Sequence, residues 1–148
     1  MSAPRPPRER SLGFLLADAV RSARRDFAQR AQGLQLTPAL ARLLYSIDRN
    51  PGCRQADLAV QLEITPVTLG RMVDRLVDHG YARRVADAGD RRAVRVYLDA
   101  AGEPLIQRVD DIRRLTEARA MSGLSDDERE TLLRLLSRIC ANLAESES

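Results

Sequence analysis

Apolar positions Leu12, Leu16, Val20, Ala23 and Phe27 recur every three or four residues, which puts one stripe on a helix over residues 11–32, ended by Gly33. Thr37 followed by Pro38 is a helix start: threonine accepts an orphan backbone N–H, and proline at the first helical position gives up nothing. That second helix runs to Asn50 and stops at Pro51 and Gly52. A third, short helix begins at Gln55, and Thr65-Pro66 repeats the start signal for a fourth that reaches His79 and Gly80. After Gly80 the period changes. Val94, Val96 and Leu98 alternate with Arg95 and Tyr97, as in a strand with one buried face, and residues 81–86 read as its hairpin partner. The loop 87–92 between them is polar, lacks an apolar anchor and is expected to project into solvent.

From about Gly102 a helix carries Leu105, Val109, Ile112 and Leu115, its regular part starting close to Pro104. Ser125 and Glu128 form a capping box that opens the last helix. Leu132, Leu136, Ile139 and Leu143 line one side of it, and Leu133, Leu135 and Cys140 widen that surface, with Cys140 expected to be buried. The whole is mostly α with a small β-hairpin, and two short helices a few residues apart read as a helix-turn-helix with the hairpin as its wing.

Composition narrows the chemistry. The 148 residues are 44% apolar, enough for one core, and no apolar run approaches the roughly 20 residues that span a bilayer. Residues 1–10 hold three prolines and three arginines but no signal-type apolar run, so they read as a disordered arm of a cytoplasmic protein. Cys53 and Cys140 are too far apart for a paired-cysteine redox or zinc motif, and Cys53 reads as a small residue at a helix entrance. No lysine occurs, which excludes Schiff-base chemistry, a P-loop lysine and a Ser-x-x-Lys nucleophile. The one histidine, His79, suits the C-terminal dipole of a helix. No nucleophile-base pair or metal-ligand spacing is legible, so neither an enzyme nor a cofactor is expected. The acid pairs at 110–111 and 126–127 fit a solvated face and a helix cap. The net charge of +3 is mild, but seven arginines against four aspartates between Arg71 and Arg95 concentrate it in the middle.

On the helix from Pro66, Leu69, Met72, Val73 and Leu76 fall within roughly 100° of arc and face the core. Val67, Arg71, Asp74 and Asp78 lie opposite, with Thr68 and Arg75 on one flank. The second helix of a helix-turn-helix reads the major groove with such groups. An arginine fork at Arg71 matches guanine O6 and N7, and Val67 or Thr68 suits a thymine methyl. The plain alternative is a solvated Arg71 paired with Asp74.

The order and spacing of Leu36-Thr37-Pro38, residues 55–59, Pro66-Val67-Thr68-Leu69, Arg71, Asp74-Arg75-Leu76 and Gly80 resemble the MarR family. Asp90-Arg91-Arg92 is similar to its D-x-R wing, and Leu98 to Gly102 to its closing L-T-x-x-G, with Asp99 in place of threonine. The run Ile64 to Leu69 looks most like the SlyA branch. The resemblance implies that Arg92 enters the minor groove at the wing tip, that Asp90 orients it and that Arg91 meets phosphate. A narrow A·T-rich groove attracts such an arginine. The alternative is a solvated turn. Thr65, Pro66, Val67, Thr68, Arg71 and Arg75 complete the expected DNA-facing set, with Arg54 facing a phosphate from a position where the family has a serine or threonine cap. That exchange weakens the cap by about 1 kcal/mol. The turn 62–64 lacks the family's frequent glycine, and residues 11–27 lack the cysteine of the peroxide-sensing branch.

The expected division is an arm at 1–10, a winged helix-turn-helix at 36–99 and helical dimerisation regions at 11–35 and 100–148. Wide apolar stripes on the first and last helices demand a second copy. Two recognition helices roughly 34 Å apart then imply a palindromic operator for a repressor. The resemblance further implies a small aromatic effector between the dimerisation helices and the winged domain. Phe14, Arg21 and Tyr45 offer the aromatic and cationic groups for an aryl carboxylate, though all three suit core or surface equally. A protein-interaction module is the competing reading, and Arg71, Arg75, Arg91, Arg92 and Arg95 argue against it.

Overall fold

The computed structural model describes residues 11–144, so the arm at 1–10 and the last four residues lie outside the described residues. Six helices and three short strands follow one another as α1 (Leu12–Arg30), α2 (Pro38–Arg49), β1 (Cys53–Arg54), α3 (Gln55–Leu62), α4 (Pro66–Asp78), β2 (Ala82–Ala86), β3 (Val94–Leu98), α5 (Gly102–Ala120) and α6 (Asp126–Ala144). The mostly α winged helix-turn-helix architecture is thus present.

Hydroxyl caps start three of the helices. Ser11 Oγ accepts from the Phe14 amide at 3.5 Å, Thr37 Oγ1 from Leu40 at 3.2 Å and Thr65 Oγ1 from Thr68 at 3.2 Å. Such caps stabilise by about 1 kcal/mol each. Arg54, the residue before α3, makes no side-chain cap. The box at α6 closes in both directions, the Ser125 amide donating to Glu128 Oε2 at 2.8 Å and the Glu128 amide to Ser125 Oγ at 3.3 Å. α5 starts at Gly102, two residues ahead of Pro104, because proline is tolerated in a first turn. Gly102 itself is required: a Cβ there would stand 2.3 Å from the Tyr81 carbonyl oxygen. α1 ends at Arg30, short of the expected 32, and the chain turns through Gly33 at φ +90°. At the end of α4 the His79 ring lies 2.7 Å by Nδ1 from the Arg75 carbonyl and 2.9 Å by Nε2 from Gln35 Oε1, against the last turn of the helix.

α2 is the centre of the core. Its Leu43, Leu44 and Ile47 are fully buried against Leu58 of α3, Leu69, Val73 and Leu76 of α4, Val96 of β3 and Val109 of α5. Each such side chain stabilises by about 1.5–3 kcal/mol relative to exposure. The sheet is antiparallel in the order β1-β3-β2, with Cys53 opposite Val96 and Arg84 also opposite Val96 on the other side. The two-residue β1 was not expected. It fastens the entrance of α3 to the wing.

α1 and α6 carry no buried residue. α1 is tied to α5 by Asp26, which accepts from Arg30 Nε at 2.7 Å and Thr116 Oγ1 at 2.8 Å and pairs with Arg119. Cys140 is exposed, contrary to expectation, because α6 buries no residue against the rest of the described chain.

Candidate nucleic-acid interface

α4 separates its faces as the 100° projection requires. Leu69 and Val73 are fully buried, whereas Thr65, Pro66, Val67, Thr68, Arg71 and Arg75 are exposed. The Thr65 hydroxyl caps the helix and also donates to Thr68 Oγ1 at 2.9 Å, so the Thr68 hydroxyl keeps its own hydrogen for an outward acceptor. Among the described residues, the Arg71 and Arg75 side chains make no hydrogen bond or ion pair. Asp74, weighed as a partner for Arg71, pairs instead with Arg84, whose Nη1 donates to its Oδ1 at 2.6 Å.

The wing has a buried base and an open tip. Asp87 is 7% exposed, accepts the Gly89 amide at 2.8 Å and pairs with Arg54 Nε at 3.1 Å and Arg95 Nε at 2.8 Å. The Gly89 amide, then the two arginines, hold its carboxyl below the ordinary range against the opposing effect of burial. Arg95 also donates from Nη1 to the Gly52 carbonyl at 2.7 Å, joining wing to β1. The loop 87–92 therefore does not project wholly into solvent. Its first residue is a carboxylate that two arginines draw inward, and only 88–92 stand exposed. Arg54 turns its Nε to Asp87, which leaves it less available to a phosphate than the sequence suggests. At the tip, Asp90 Oδ1 accepts the Arg92 amide at 3.0 Å and the Asp90 carbonyl accepts from Ala93 at 2.9 Å. The Arg91 and Arg92 side chains are exposed and make no ion pair among the described residues.

Sequence reasoning missed Asp87 and Arg84. Asp87-Ala88-Gly89 does carry a signal, since an aspartate two residues before a glycine is a side-chain-closed turn. Arg84 carries none: along β2 it cannot be told from Arg83, which instead lies 4.9 Å over the Tyr97 ring.

Residues 34–93, spanning the helix-turn-helix and most of the hairpin, match the MarR family. This segment is similar to a MarR-family winged helix. The fold extends beyond it. A crystal structure of MarR superposes with a TM-score of 0.88 at 25% identity, covering 97% of each chain. A cysteine-to-serine variant of MarR from E. coli, complexed with operator DNA, superposes at 0.77 with 26% identity over 86% of this chain and 92% of that one. The transcriptional repressor CouR, bound to a 23-mer DNA duplex, does so at 0.82 with 28% identity over 95% and 99%.

Away from that surface, α1, α2 and α5 border an open cavity of about 400 Å³ lined by Tyr45, Phe27, Val109, Arg24, Arg42 and Arg113 among others. Of the three residues expected at an effector site, only Tyr45 lines it. Phe14 is 56% exposed, and Arg21 pairs with Asp18 on the surface of α1. The aromatic and cationic partners of Tyr45 are Phe27, Arg24 and Arg42. Arg24 and Arg42 also line a neighbouring cavity of about 430 Å³ with Ile64, Thr68 and Met72 of the helix-turn-helix.

Proposed function

We propose that this chain is a sequence-specific DNA-binding transcription regulator of the SlyA-like kind, a repressor that acts as a homodimer on a palindromic operator and is released by a small aromatic anion. The observation that carries the reading is the pairing pattern of the arginines. Arg71 and Arg75 on α4 and Arg91 and Arg92 on the wing tip have no partner among the described residues, while Arg54, Arg84 and Arg95 are paired inward. Unpaired guanidiniums on two projecting elements suit a polyanion with one deep and one narrow groove. The DNA complexes of the MarR variant and of CouR support the same orientation of the fold. The run Ile64 to Leu69 supports the SlyA-like assignment. Against an interaction module stands the cost of burying four unpaired arginines in a protein interface.

The homodimer rests on α1 and α6, which hold no fully buried residue while exposing Phe14, Leu15, Val20, Leu132, Leu133, Leu135 and Leu143. Covering both in a symmetric pair sets the two copies of α4 roughly one DNA turn, about 34 Å, apart. Sequencing genomic fragments retained by the purified protein is the decisive experiment. An enriched inverted repeat is the expected result, and retention without sequence enrichment overturns the reading. Sedimentation at micromolar protein should give a dimer; a monomer at every concentration removes the palindrome.

A further inference from the structure

The three DNA-facing pieces of the chain are joined at one side chain. Arg84 leaves the middle of β2 and spends its guanidinium on three acceptors: Nε to Gln55 Oε1 at 2.9 Å, Nη1 to Asp74 Oδ1 at 2.6 Å and Nη2 to the Gly70 carbonyl at 3.1 Å. Gln55 is the first residue of α3, and Gly70 and Asp74 are one turn apart on α4. One planar fork thus links the wing strand, the start of the first helix and the middle of the second. A planar group with donors in fixed directions sets an angle, which an ammonium on a flexible stem does not. The other side-chain cluster at the base of the wing, Asp87 with Arg54 and Arg95, reaches the entrance of α3 without an ion pair to α4 among the described residues.

We infer that Arg84 is a positioning residue for DNA recognition: it holds α4 and the wing tip at the one relative angle at which Arg71 and Arg92 engage the same half-site together. The inference rests on the proposed DNA-binding function. Two contacts on a rigid body reinforce each other, whereas on a loosened one the second is made at a lower effective concentration and contributes less. Arg84 acts without touching the DNA, so its loss leaves the number of phosphate contacts unchanged.

The test compares operator affinity of the full chain, its Arg84→Met variant and each combined with Arg92→Ala, over a range of salt concentrations. Arg84→Met should shrink the Arg92→Ala penalty by about threefold to tenfold, a coupling of the size found between residues acting as a unit. The slope of affinity against salt should not change, whereas a lost phosphate contact lowers it by about one. Arg84→Lys should restore only part of the coupling. An unchanged Arg92→Ala penalty, with or without a fall in melting temperature, overturns the inference, and so does a slope that falls by one. If Arg84→Met does not fold, Asp74→Ala and Gln55→Leu remove its side-chain acceptors one at a time and are read in the same way. Failure of the unsubstituted protein to bind any DNA would overturn the functional reading, and that is seen before any variant is made.

Discussion

Asp90 holds Arg92 by its backbone: the aspartate Oδ1 accepts the Arg92 amide at 3.0 Å, and the guanidinium makes no ion pair among the described residues. The carboxylate shapes the tip so that the arginine leaves it in a set direction, while its charge stays available. The two residues therefore fail differently. Asp90→Ala removes one backbone hydrogen bond, a loss of about 0.5–1.5 kcal/mol that lowers affinity for every operator by roughly the same few-fold factor. Under the proposed function Arg92 supplies a groove contact, so Arg92→Ala should cost more in operator titrations.

Arg71→Ala separates base reading from general affinity. With Asp74 engaged by Arg84, the Arg71 fork is free to take a guanine edge. Its loss should relax preference at one base pair by about 1–3 kcal/mol while other positions keep theirs. Isotherms on matched and singly mismatched sites check this, and wild-type discrimination at every position would remove the assignment.

Asp26 and Asp87 tie separate elements together as carboxylates, so both link stability to acid pH. Arg30, then Thr116 and Arg119, hold Asp26 down from 3.8 to about 2, and the Gly89 amide with Arg54 and Arg95 lowers Asp87. A carboxylate with a depressed folded value binds protons more readily unfolded. Its stabilisation is complete above the unfolded value and is lost as pH falls towards the folded one. Thermal stability should therefore fall as pH drops from 3.8 towards about 2. Asp26→Asn should lower the melting temperature near neutrality and flatten that slope. A slope equal to wild type would separate Asp26 from the acid transition.

Glu63 occupies a left-handed conformation, φ 55° and ψ 42°, where the chain turns from α3 towards α4. Its amide and that of Ile64 donate back to Val60 and Ala59 at 3.1 and 3.0 Å, so the turn is kept despite a side chain that disfavours it. An L-residue pays about 1–2 kcal/mol there, and glycine loses about 0.5–1 kcal/mol of chain entropy instead. Glu63→Gly should gain roughly 0.5–1 kcal/mol and raise Tm by roughly 2–4 °C. A fall in Tm would show that the glutamate stabilises the turn in another way.

Much of this was legible because the signals are local. Thr37-Pro38 and Thr65-Pro66 start helices within one turn, Ser125 and Glu128 close a box three residues long, and the change of period after Gly80 marks the wing. What stayed hidden is long-range or too short to have a period. β1 has two residues, and Arg84 and Asp87 find partners on other elements. The effector residues differ from the expected set for a geometric reason: Phe14 and Phe27 stand thirteen residues apart on α1, roughly 20 Å along the helix and about 140° apart around it, and only Phe27 lines the cavity beside α2.

The cavity beside Tyr45 has the composition of a site for an aryl carboxylate. Phe27, Val109 and the Tyr45 ring supply apolar walls, and Arg24 and Arg42, unpaired among the described residues, supply the charge. Those two arginines also border the cavity that reaches Thr68 and Met72 on α4, so an anion drawn between them bears on the recognition helix. A ligand shifts an equilibrium only through unequal affinity for its two states, and in the proposed homodimer the DNA-bound spacing of the two α4 helices is one of them. Salicylate-like compounds titrated into a preformed protein–DNA complex should weaken operator binding by about 5–150-fold, a coupling of about 1–3 kcal/mol. Tyr45→Ala and Arg42→Ala should blunt that response and leave ligand-free DNA affinity within about twofold, since neither residue lies on the DNA-facing surface. Phe14→Ala and Arg21→Ala should leave the response intact. Unchanged operator affinity across a chemically broad panel of aromatic acids would retire the cavity as an effector site and leave a regulator governed by its own abundance.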